Sequence, residues 1–204
     1  MPDKPIFVTG IGTGIGKTIV SAVLVEKLKA DYWKPVQSGD LDDSDTKKVK
    51  SLVSNSNSRF HEEAYRLSQP FSPHKSAAID GITIDPRQVI MPVTGNQLII
   101  EGAGGLMVPL NAKFLMIDLI KQLDAEVILV SQNYLGSINH TILSVYALKN
   151  EGIRIKGIIF NGIKDIYSKD FILKYSGLDE LGHIPQYAAI DKSTIVDAGN
   201  FISV

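Results

Sequence analysis

The stretch that most clearly implies chemistry is VTGIGTGIGKT, residues 8–18. It ends in Gly16-Lys17-Thr18, the closing residues of a phosphate-binding loop, and it stands between an apolar run and a helix-like pattern. Backbone N–H groups and a helix N-terminus attract phosphate oxygens, Lys17 adds a positive charge for the β- and γ-phosphates, and the Thr18 hydroxyl can ligate Mg²⁺. The usual spacing needs a glycine where Ile11 stands. We therefore interpret the stretch as a phosphate loop with one additional residue.

Two other interpretations of these glycines are weaker. A dinucleotide fingerprint needs glycines at relative positions one, three and six, but counting from Gly10 places Ile15 sixth and counting from Gly12 places Lys17 sixth. A glycine-rich turn would explain the glycines, but not a Gly-Lys-Thr triplet that opens an amphipathic helix. The sequence thus predicts a site for a nucleoside triphosphate.

Two further charged residues follow predicted strands. Glu101 comes at the end of QLIIE, where a carboxylate near a phosphate loop suits Mg²⁺; the alternative is a glutamate that hydrogen-bonds the following glycine turn. Lys34 follows a strand expected to lie beside the first, where its charge could stabilise a transferred phosphoryl group; the alternative is a lysine at the sheet edge with its ammonium group in water. Both are candidates for chemistry on ATP.

The polar residues of two other segments allow more than one interpretation. Composition alone predicts that DLDDSD, residues 40–45, is a solvated acidic loop that caps the next helix. Asn161 ends a strand in FNG, where its amide could contact a base or simply terminate the strand in an Asn-Gly turn. The guanine motif Asn-Lys-x-Asp is absent, since Gly162 and Lys164 stand where Lys and Asp would.

The elements that must position these residues alternate between strand and helix patterns. Short apolar runs predict strands at 5–10, 32–36 (ended by Pro35), 96–105, 125–132, 154–162 and 181–185. Helical spacing predicts helices at 18–30, 114–123 and 138–152. This alternation indicates an α/β fold of three layers, with a mostly parallel sheet between helices and ligands at the carboxyl ends of the strands. Residues 38–95 are the least regular, and we expect active-site loops and one or two helices there.

The bulk properties restrict the function. A length of 204 residues fits one domain, 1–204, and the absence of cysteine excludes disulfides, zinc–thiolate sites, iron–sulfur ligation and cysteine nucleophiles. The net charge of −1 provides no positive field for nucleic acid or an anionic membrane. No signal peptide or run of about 18 apolar residues is seen. We expect a cytoplasmic protein with neither nucleic acid nor membrane as a partner.

The phosphate loop and the rest of the chain together resemble dethiobiotin synthetase. The motifs that carry this resemblance are VTGIGTGIGKT, WKPVQSG, SD, SPH, EGAGGLMVPL, LGSINH, FNG and LGHIP, in order along nearly the whole chain. The resemblance implies a P-loop ligase of biotin biosynthesis, active as a homodimer with MgATP. It implies that 7,8-diaminononanoate is carboxylated by CO₂ or bicarbonate, that the carbamate is phosphorylated, and that the second amine closes the ring of dethiobiotin with release of ADP and phosphate.

The resemblance also implies roles for individual residues. Lys34 and Lys17 would be catalytic, and Thr18, Asp45 and Glu101 would hold Mg²⁺, although Asp43 remains an alternative to Asp45. The nucleotide would contact Gly14, Ile15, Gly16, Lys17, Thr18, Ile19, Asp45, Glu101, Gly102, Ala103, Gly104, Asn161, Gly162 and Pro185. The substrate would contact Thr13, Lys34, Ser38, Gly136, Ser137, Ile138 and Asn139. Gly14 and Gly162 depart from the family, which often has acidic residues at both positions.

One predicted helix bears on oligomeric state. Its apolar residues Ile138, Ile142, Leu143, Val145, Tyr146 and Leu148 cover more of its surface than one core-facing stripe needs. We predict that its second face contacts a two-fold partner; the alternative is a fully buried helix in a monomer. The resemblance implies that its first turn, whose N–H groups suit an anion, receives the substrate carboxylate of that partner.

A regulatory ATPase of the chromosome-partition or division-site type is the alternative function. Those proteins carry a second lysine early in the loop, where Ile11, Gly12 and Thr13 stand here. A cobyric-acid amidation enzyme would need a glutaminase domain with a cysteine, and the chain has none.

Overall fold

The computed structural model describes residues 4–204, so the first three residues of the predicted 1–204 domain lie outside it. Its main feature is a seven-stranded sheet in the order β4-β2-β6-β1-β9-β10-β11, in which every pair of neighbours is parallel. These strands are β1 (Ile6–Gly10), β2 (Asp31–Trp33), β4 (Phe60–His61), β6 (Leu98–Gly105), β9 (Glu126–Gln132), β10 (Ile155–Asn161) and β11 (Glu180–Ile184).

Helices lie on both faces of this sheet. They are α1 (Lys17–Leu28), α2 (Asp45–Leu52), α3 (Pro73–Ile79), α4 (Met116–Gln122), α5 (Ser137–Asn150), α6 (Ile166–Ser176) and α7 (Lys192–Ala198). No helix within residues 4–204 has the length and apolarity needed to cross a membrane.

The core is divided by the sheet because successive side chains of a strand point to opposite faces. In β1, Phe7 joins one buried cluster, with Ile100 and Leu129, while its neighbour Val8 joins the other. The central strands are therefore apolar at nearly every position, which is typical of a parallel sheet covered on both faces. This is the predicted three-layer α/β architecture.

Two predictions about the strands near the site were wrong in detail. The run at 32–36 is not one strand: β2 ends at Trp33, and β3 (Val36–Ser38) belongs to a separate two-stranded parallel sheet with β5 (Tyr65–Leu67). Pro35 accounts for the break, since it has no N–H to donate within a ladder. Moreover, β2 does not pair with β1, because β6 lies between them.

The third predicted strand, 96–105, is β6, but Glu101 does not lie at its end. Glu101 pairs with Val8, but β6 runs on to Gly105, which pairs with Gly10 after a shift of register. Glu101 therefore lies inside the strand, beside the start of the phosphate loop, rather than at its end.

The irregular region 38–95 holds the two helices α2 and α3, in agreement with the expectation of one or two. It also contains short strands and two single 3₁₀ turns, Leu41–Asp43 and Pro86–Gln88. A third small element, the antiparallel pair β7 (Pro109–Asn111) and β8 (Phe114–Leu115), precedes α4.

Candidate active site

A cavity of about 590 Å³ opens at the carboxyl ends of β1, β2 and β6. The phosphate loop, the segment from Lys34 to Asp40, the first residue of α2 and the end of β6 form most of its wall. Phe71, Ser72 and Pro73 cover another side. Parallel α/β sheets place their ligands at this edge.

The phosphate loop wraps the N-terminus of α1. Gly14 and Gly16 have φ values of 74° and 92°, which a residue with a side chain would adopt only under strain. The side chain of Ile15 is buried between them and anchors the loop in the core. Lys17 begins the helix, and its Nζ donates a hydrogen bond to the carbonyl of Gly12 at 2.8 Å. Burial lowers the pKa of Lys17 to about 8, against the opposing effect of Glu101.

Four side chains converge beside Lys17 in one network. The Thr18 hydroxyl lies 2.9 Å from Glu101 Oε1 and 3.2 Å from Asp45 Oδ1. The Lys34 ammonium lies 2.6 Å from Asp45 Oδ2 and 3.2 Å from Glu101 Oε1. Burial, the largest single influence, lowers the pKa of Lys34, but Glu101 and Asp45 together outweigh it and the net pKa is raised. Lys34 is therefore a buried ammonium group, not a lysine at the sheet edge.

The same geometry distinguishes Asp45 from Asp43. Asp45 is the first residue of α2, and the interaction with Lys34 lowers its pKa although burial alone would raise it. The side chain of Asp43 is 76% exposed and pairs with Lys48. Of the two, only Asp45 faces Thr18 and Glu101.

The oxygens of Thr18, Asp45 and Glu101 are a donor set that fits Mg²⁺. Within residues 4–204, no three His, Cys, Asp or Glu side chains are grouped as a metal site. Mg²⁺ does not need such a group, since it usually takes one or two carboxylates and completes its coordination with water and substrate phosphates. The Lys34 ammonium between the two carboxylates shows that this position favours a cation.

Two buried residues that the sequence analysis missed hold the carboxylates in place. The hydroxyl of Tyr32 donates to Glu101 Oε2 at 2.9 Å, and Gln37 Oε1 accepts from the backbone N–H of Asp45 at 3.3 Å. Tyr32 could have been found from its spacing, because residues two apart share a face of a strand and Tyr32 precedes Lys34 by two. Gln37 carries no such signal, since the turn to Asp45 is irregular.

The predicted substrate contacts Thr13 and Ser38 both line the cavity. The Oγ of Ser38 is buried and has no hydrogen-bond partner within the described part of the chain. A buried hydroxyl without a partner is unusual in a folded protein, and a bound ligand would satisfy it.

A second cavity, of about 360 Å³, lies at the ends of β9, β10 and β11. Its polar side chains are neutral amides, Gln132, Asn133, Asn161 and Gln186. Its other walls are formed by Ile19, Gly162, Ile163, Ile184, Pro185, Tyr187 and Ile190. Asn161 joins the two cavities, since its Nδ2 donates to the carbonyl of Ile15 in the phosphate loop at 3.0 Å.

Comparison with known proteins bears on this geometry. A family model described as an AAA domain matches residues 4–194. The ATP-dependent dethiobiotin synthetase of Christiangramia forsetii is 52% identical over 192 residues, which cover 94% of this chain and 92% of that protein. The enzyme of the same name from Cytophaga hutchinsonii is 49% identical, with 94% and 93% covered.

The chain belongs to the ATP-dependent dethiobiotin synthetase family. This confirms the family predicted from the motifs, and it does not favour the partition-ATPase alternative.

Solved structures similar to this dethiobiotin synthetase family member establish its fold. They include the septum site-determining protein MinD of Pyrococcus horikoshii with Mg-ADP (TM-score 0.60, 17% identity, 96% of this chain and 86% of that one). A ParA family ATPase of Chlorobium tepidum has a TM-score of 0.57 at 16% identity, with 98% and 99% covered. At such identities the likeness concerns the fold alone, and it confirms a P-loop α/β architecture.

The predicted site residues of this family member line the first cavity, line the second cavity or line neither. Thr13, Gly14, Gly16, Lys17, Thr18, Lys34, Ser38, Asp45, Glu101, Ala103 and Gly104 line the first cavity, and Ile19, Asn161, Gly162 and Pro185 line the second. Ile15 and Gly102 line neither, but their carbonyl groups accept from Asn161 and, at 3.5 Å, from Lys34. Gly136, Ser137, Ile138 and Asn139 line neither cavity in the single chain.

Proposed function

We propose that the protein is a cyclo-ligase that forms dethiobiotin from 7,8-diaminononanoate, CO₂ and ATP, with release of ADP and phosphate. The observation that carries this proposal is the buried Lys34 ammonium, held by Asp45 and Glu101 beside Lys17 and Thr18. A phosphate loop alone would suit any ATPase, but the additional buried lysine provides a second fixed cation beside the loop lysine.

The first steps need two fixed cations. One amine of the substrate takes up CO₂ and loses a proton, which gives a carbamate. A carbamate oxygen then attacks the γ-phosphorus of ATP, and the bond to the β-phosphate oxygen breaks, which leaves a carbamic–phosphoric anhydride and ADP. Lys17 and Lys34 stabilise the charge spread over the transferred group. Mg²⁺, when held by Thr18, Asp45 and Glu101, adds positive charge against the phosphates of ATP.

Ring closure needs orientation more than charge. The second amine attacks the carbonyl carbon, its proton is lost, and the bond to the phosphate oxygen breaks. Thr13 and the unpartnered hydroxyl of Ser38 line the cavity where the substrate must be held. Holding both reacting groups in one cavity turns the step into an intramolecular reaction.

The second cavity suits the adenine and ribose of ATP. Asn161, Gly162 and Pro185 form part of it, and it adjoins the phosphate loop through Asn161. The amide of Asn161 can pair with the N6 and N7 edge of adenine. Gly162 lacks the acidic side chain often found there, so the base must be recognised by amides.

Phosphate release from MgATP tests this function. We expect release to require both the diamine and bicarbonate, and dethiobiotin to appear in equal amount by mass spectrometry. Omission of either component, and replacement of the diamine by nonanoate, are the controls. Phosphate release that ignores the diamine, as in a partition ATPase, would contradict the proposal.

We further propose that the enzyme is a cytoplasmic homodimer whose partner completes each site. Leu143 and Tyr146 on α5 are 57% and 53% exposed, and Phe171 and Tyr175 on α6 add to the same apolar surface. The first turn of α5 has no side-chain cap and no acidic residue. The N–H of Ser137 donates to the carbonyl of Tyr134 at 2.9 Å, but within residues 4–204 those of Ile138 and Asn139 have no partner and can donate to an anion. The substrate carboxylate of the partner's site is such an anion.

Co-expression of two inactive variants tests the shared site. Lys34→Gln would be combined with Gly136→Val, which forces a side chain onto a residue with φ of 103° at the start of α5. If the partner contributes this turn, one of the two sites in a mixed dimer is built from intact parts and activity returns. Two copies of the same variant are the control. Mixed dimers that stay inactive would mean that each subunit completes its own site.

A further inference from the structure

Three carboxylates line the cavity beside the phosphate loop, and one of them has no role in the network described above. Asp45 and Glu101 share the Lys34 ammonium. Asp40 lines the same cavity, yet within residues 4–204 it has no ion pair and no side-chain hydrogen bond; only its carbonyl is engaged, by the N–H of Asp43 at 2.9 Å. The wall therefore carries one negative charge that no lysine of the described chain offsets.

The backbone holds Asp40 in an uncommon conformation. Its φ of 49° is left-handed, and it directly follows Gly39, whose φ is 70°. Within residues 4–204, the other two non-glycine residues with positive φ are Lys29 and Asp124, which follow helices, where this conformation is an ordinary ending. Asp40 is the one that lines a cavity.

The surroundings of Asp40 are those of a binding surface. Two residues earlier, the buried hydroxyl of Ser38 lacks a partner. Gly39 is packed so closely on Pro70 that a Cβ would lie 2.6 Å from it, so the turn is held against another segment that lines the cavity. Ser38 and Asp40 both line this cavity, Ser38 with an uncharged acceptor and Asp40, an exposed residue, with a carboxylate.

We propose that Asp40 binds the ammonium form of the substrate amine that is not carboxylated. This inference rests on the proposed function, in which the substrate carries two amines. Alkyl amines are charged near neutral pH, and only the amine that takes up CO₂ must be neutral at that step. A carboxylate on the wall holds the second amine as an ammonium group, and the Ser38 oxygen can accept a further hydrogen bond from it. Closure of the cavity by ligands strengthens this ion pair, since it removes water.

Binding of three ligands to matched variants tests the proposal. Asp40→Asn removes the charge from the cavity wall, and Asp42→Asn removes the same charge from the same loop at a residue outside the cavity. Calorimetry in bicarbonate-free buffer would compare the diamine with 7-aminononanoate and 8-aminononanoate. We expect Asp40→Asn to weaken diamine binding by about five- to tenfold. Asp40→Asn should weaken binding of one monoamine by the same factor and leave binding of the other unchanged. Asp42→Asn should change the binding of none of the three ligands.

Other patterns would overturn the proposal. If Asp40→Asn changes both monoamines and the diamine by the same factor, or if Asp42→Asn has the same effect, the charge acts diffusely and does not bind an amine. Asn tolerates the left-handed conformation, and Asp40→Gly provides a second variant that adopts it without strain. The parent protein separates this test from that of the proposed function. If the parent protein releases phosphate with the diamine, but Asp40→Asn and Asp42→Asn bind the three ligands equally well, the proposed function stands and only the role of Asp40 is wrong.

Discussion

The two cavities place opposite kinds of side chain around the two ends of the proposed nucleotide site. At the phosphate end, contacts of 2.6–3.2 Å that need no ligand join the side chains of Thr18, Lys34, Asp45 and Glu101. At the base end, the wall described within residues 4–204 carries four neutral amides and Tyr187, and no charged side chain. The phosphate end is therefore preorganised to bind charged groups. The base end can exchange its hydrogen-bond donors and acceptors when an amide side chain rotates.

A pair of tyrosines shows the same difference on a smaller scale. Tyr32 donates to Glu101 and Tyr187 donates to Asp197, each at 2.9 Å. Tyr32 is wholly buried, whereas the bond of Tyr187 is exposed. Because water competes for an exposed hydrogen bond, equal distances need not mean equal energies. The two ends should therefore respond differently to similar substitutions.

The largest effect is expected from Lys34→Gln at the phosphate end. The loss of one preorganised stabiliser of transition-state charge typically lowers the rate by a factor on the order of 10²–10³. We expect kcat for dethiobiotin formation to fall by that factor, while ATP binding by calorimetry changes little. The melting temperature should fall, because Asp45 and Glu101 lose the buried ammonium group between them. Lys48→Gln, on the exposed face of α2, is the matched control. A Lys34→Gln rate within threefold of the parent would remove this lysine from the chemistry.

A smaller but still large effect is expected from Asp45→Asn. This change keeps the shape of a proposed Mg²⁺ ligand and removes its charge. Groups that merely support metal ligands contribute about 10–100-fold to metal affinity, so a direct ligand should raise the Mg²⁺ needed for half activity by about 100-fold. Mn²⁺ binding followed by electron paramagnetic resonance measures the same site without turnover. Asp43→Asn is the control. If Asp43→Asn raised the Mg²⁺ requirement and Asp45→Asn did not, the metal ligand would be Asp43 and the assignment of Asp45 would be wrong.

Tyr32→Phe is expected to act through Glu101. It leaves Oε2 of Glu101 without its donor in a buried position, while the ring still fills its place in the core. The Mg²⁺ requirement should rise by about tenfold, at the lower end of the range for such supporting groups. The control Tyr65→Phe removes a part-buried hydroxyl that contacts the backbone of Asp85, away from the carboxylates. Equal Mg²⁺ dependence in both variants would mean that Tyr32 is only a packing residue.

Sequence patterns predicted the parts of this molecule that depend on local spacing. The phosphate loop, the central strands and the type of fold all follow from apolar periodicity and from glycines that precede a helix. The position of β2 could not be predicted in this way. β6 follows β2 in the chain after about 70 residues, yet it lies between β1 and β2 in the sheet, and local spacing does not reveal such a crossover.

The network around Lys34 shows the same limit at the level of side chains. Asp43 and Asp45 are the same type of residue in one acidic segment, so the sequence does not distinguish them. Asp45 faces Thr18 because it is the first residue of α2. The roles of Gln37 and Asp40 depend on an irregular turn that has no periodicity to read. The predicted contacts at Gly136–Asn139 require a second chain, so they remain predictions.

At the base end, Asn161→Ala separates two roles of one amide. The side chain holds the phosphate loop through Ile15, and it is also proposed to recognise adenine. Loss of a hydrogen bond in a partly buried site should raise the KM for ATP by about five- to tenfold. If the amide reads the base, the preference for ATP over GTP falls with it. If it only holds the loop, KM for both nucleotides rises by the same factor and the preference is unchanged.

The smallest effect is expected from Tyr187→Phe, the counterpart of Tyr32→Phe. Burial and then Asp197 raise the pKa of Tyr187 to about 12, so the phenol stays protonated and donates throughout the usual assay range. Its hydroxyl donates to Asp197 of α7 in an exposed hydrogen bond, however, and Tyr187 also lines the base cavity. We expect the KM for ATP to rise by about twofold or less. Tyr187→Ala, which removes the ring as well, should raise it further. If Tyr187→Phe alone raised the KM for ATP tenfold, the base end would depend on a fixed polar contact just as the phosphate end does, and the contrast between the two cavities would be wrong.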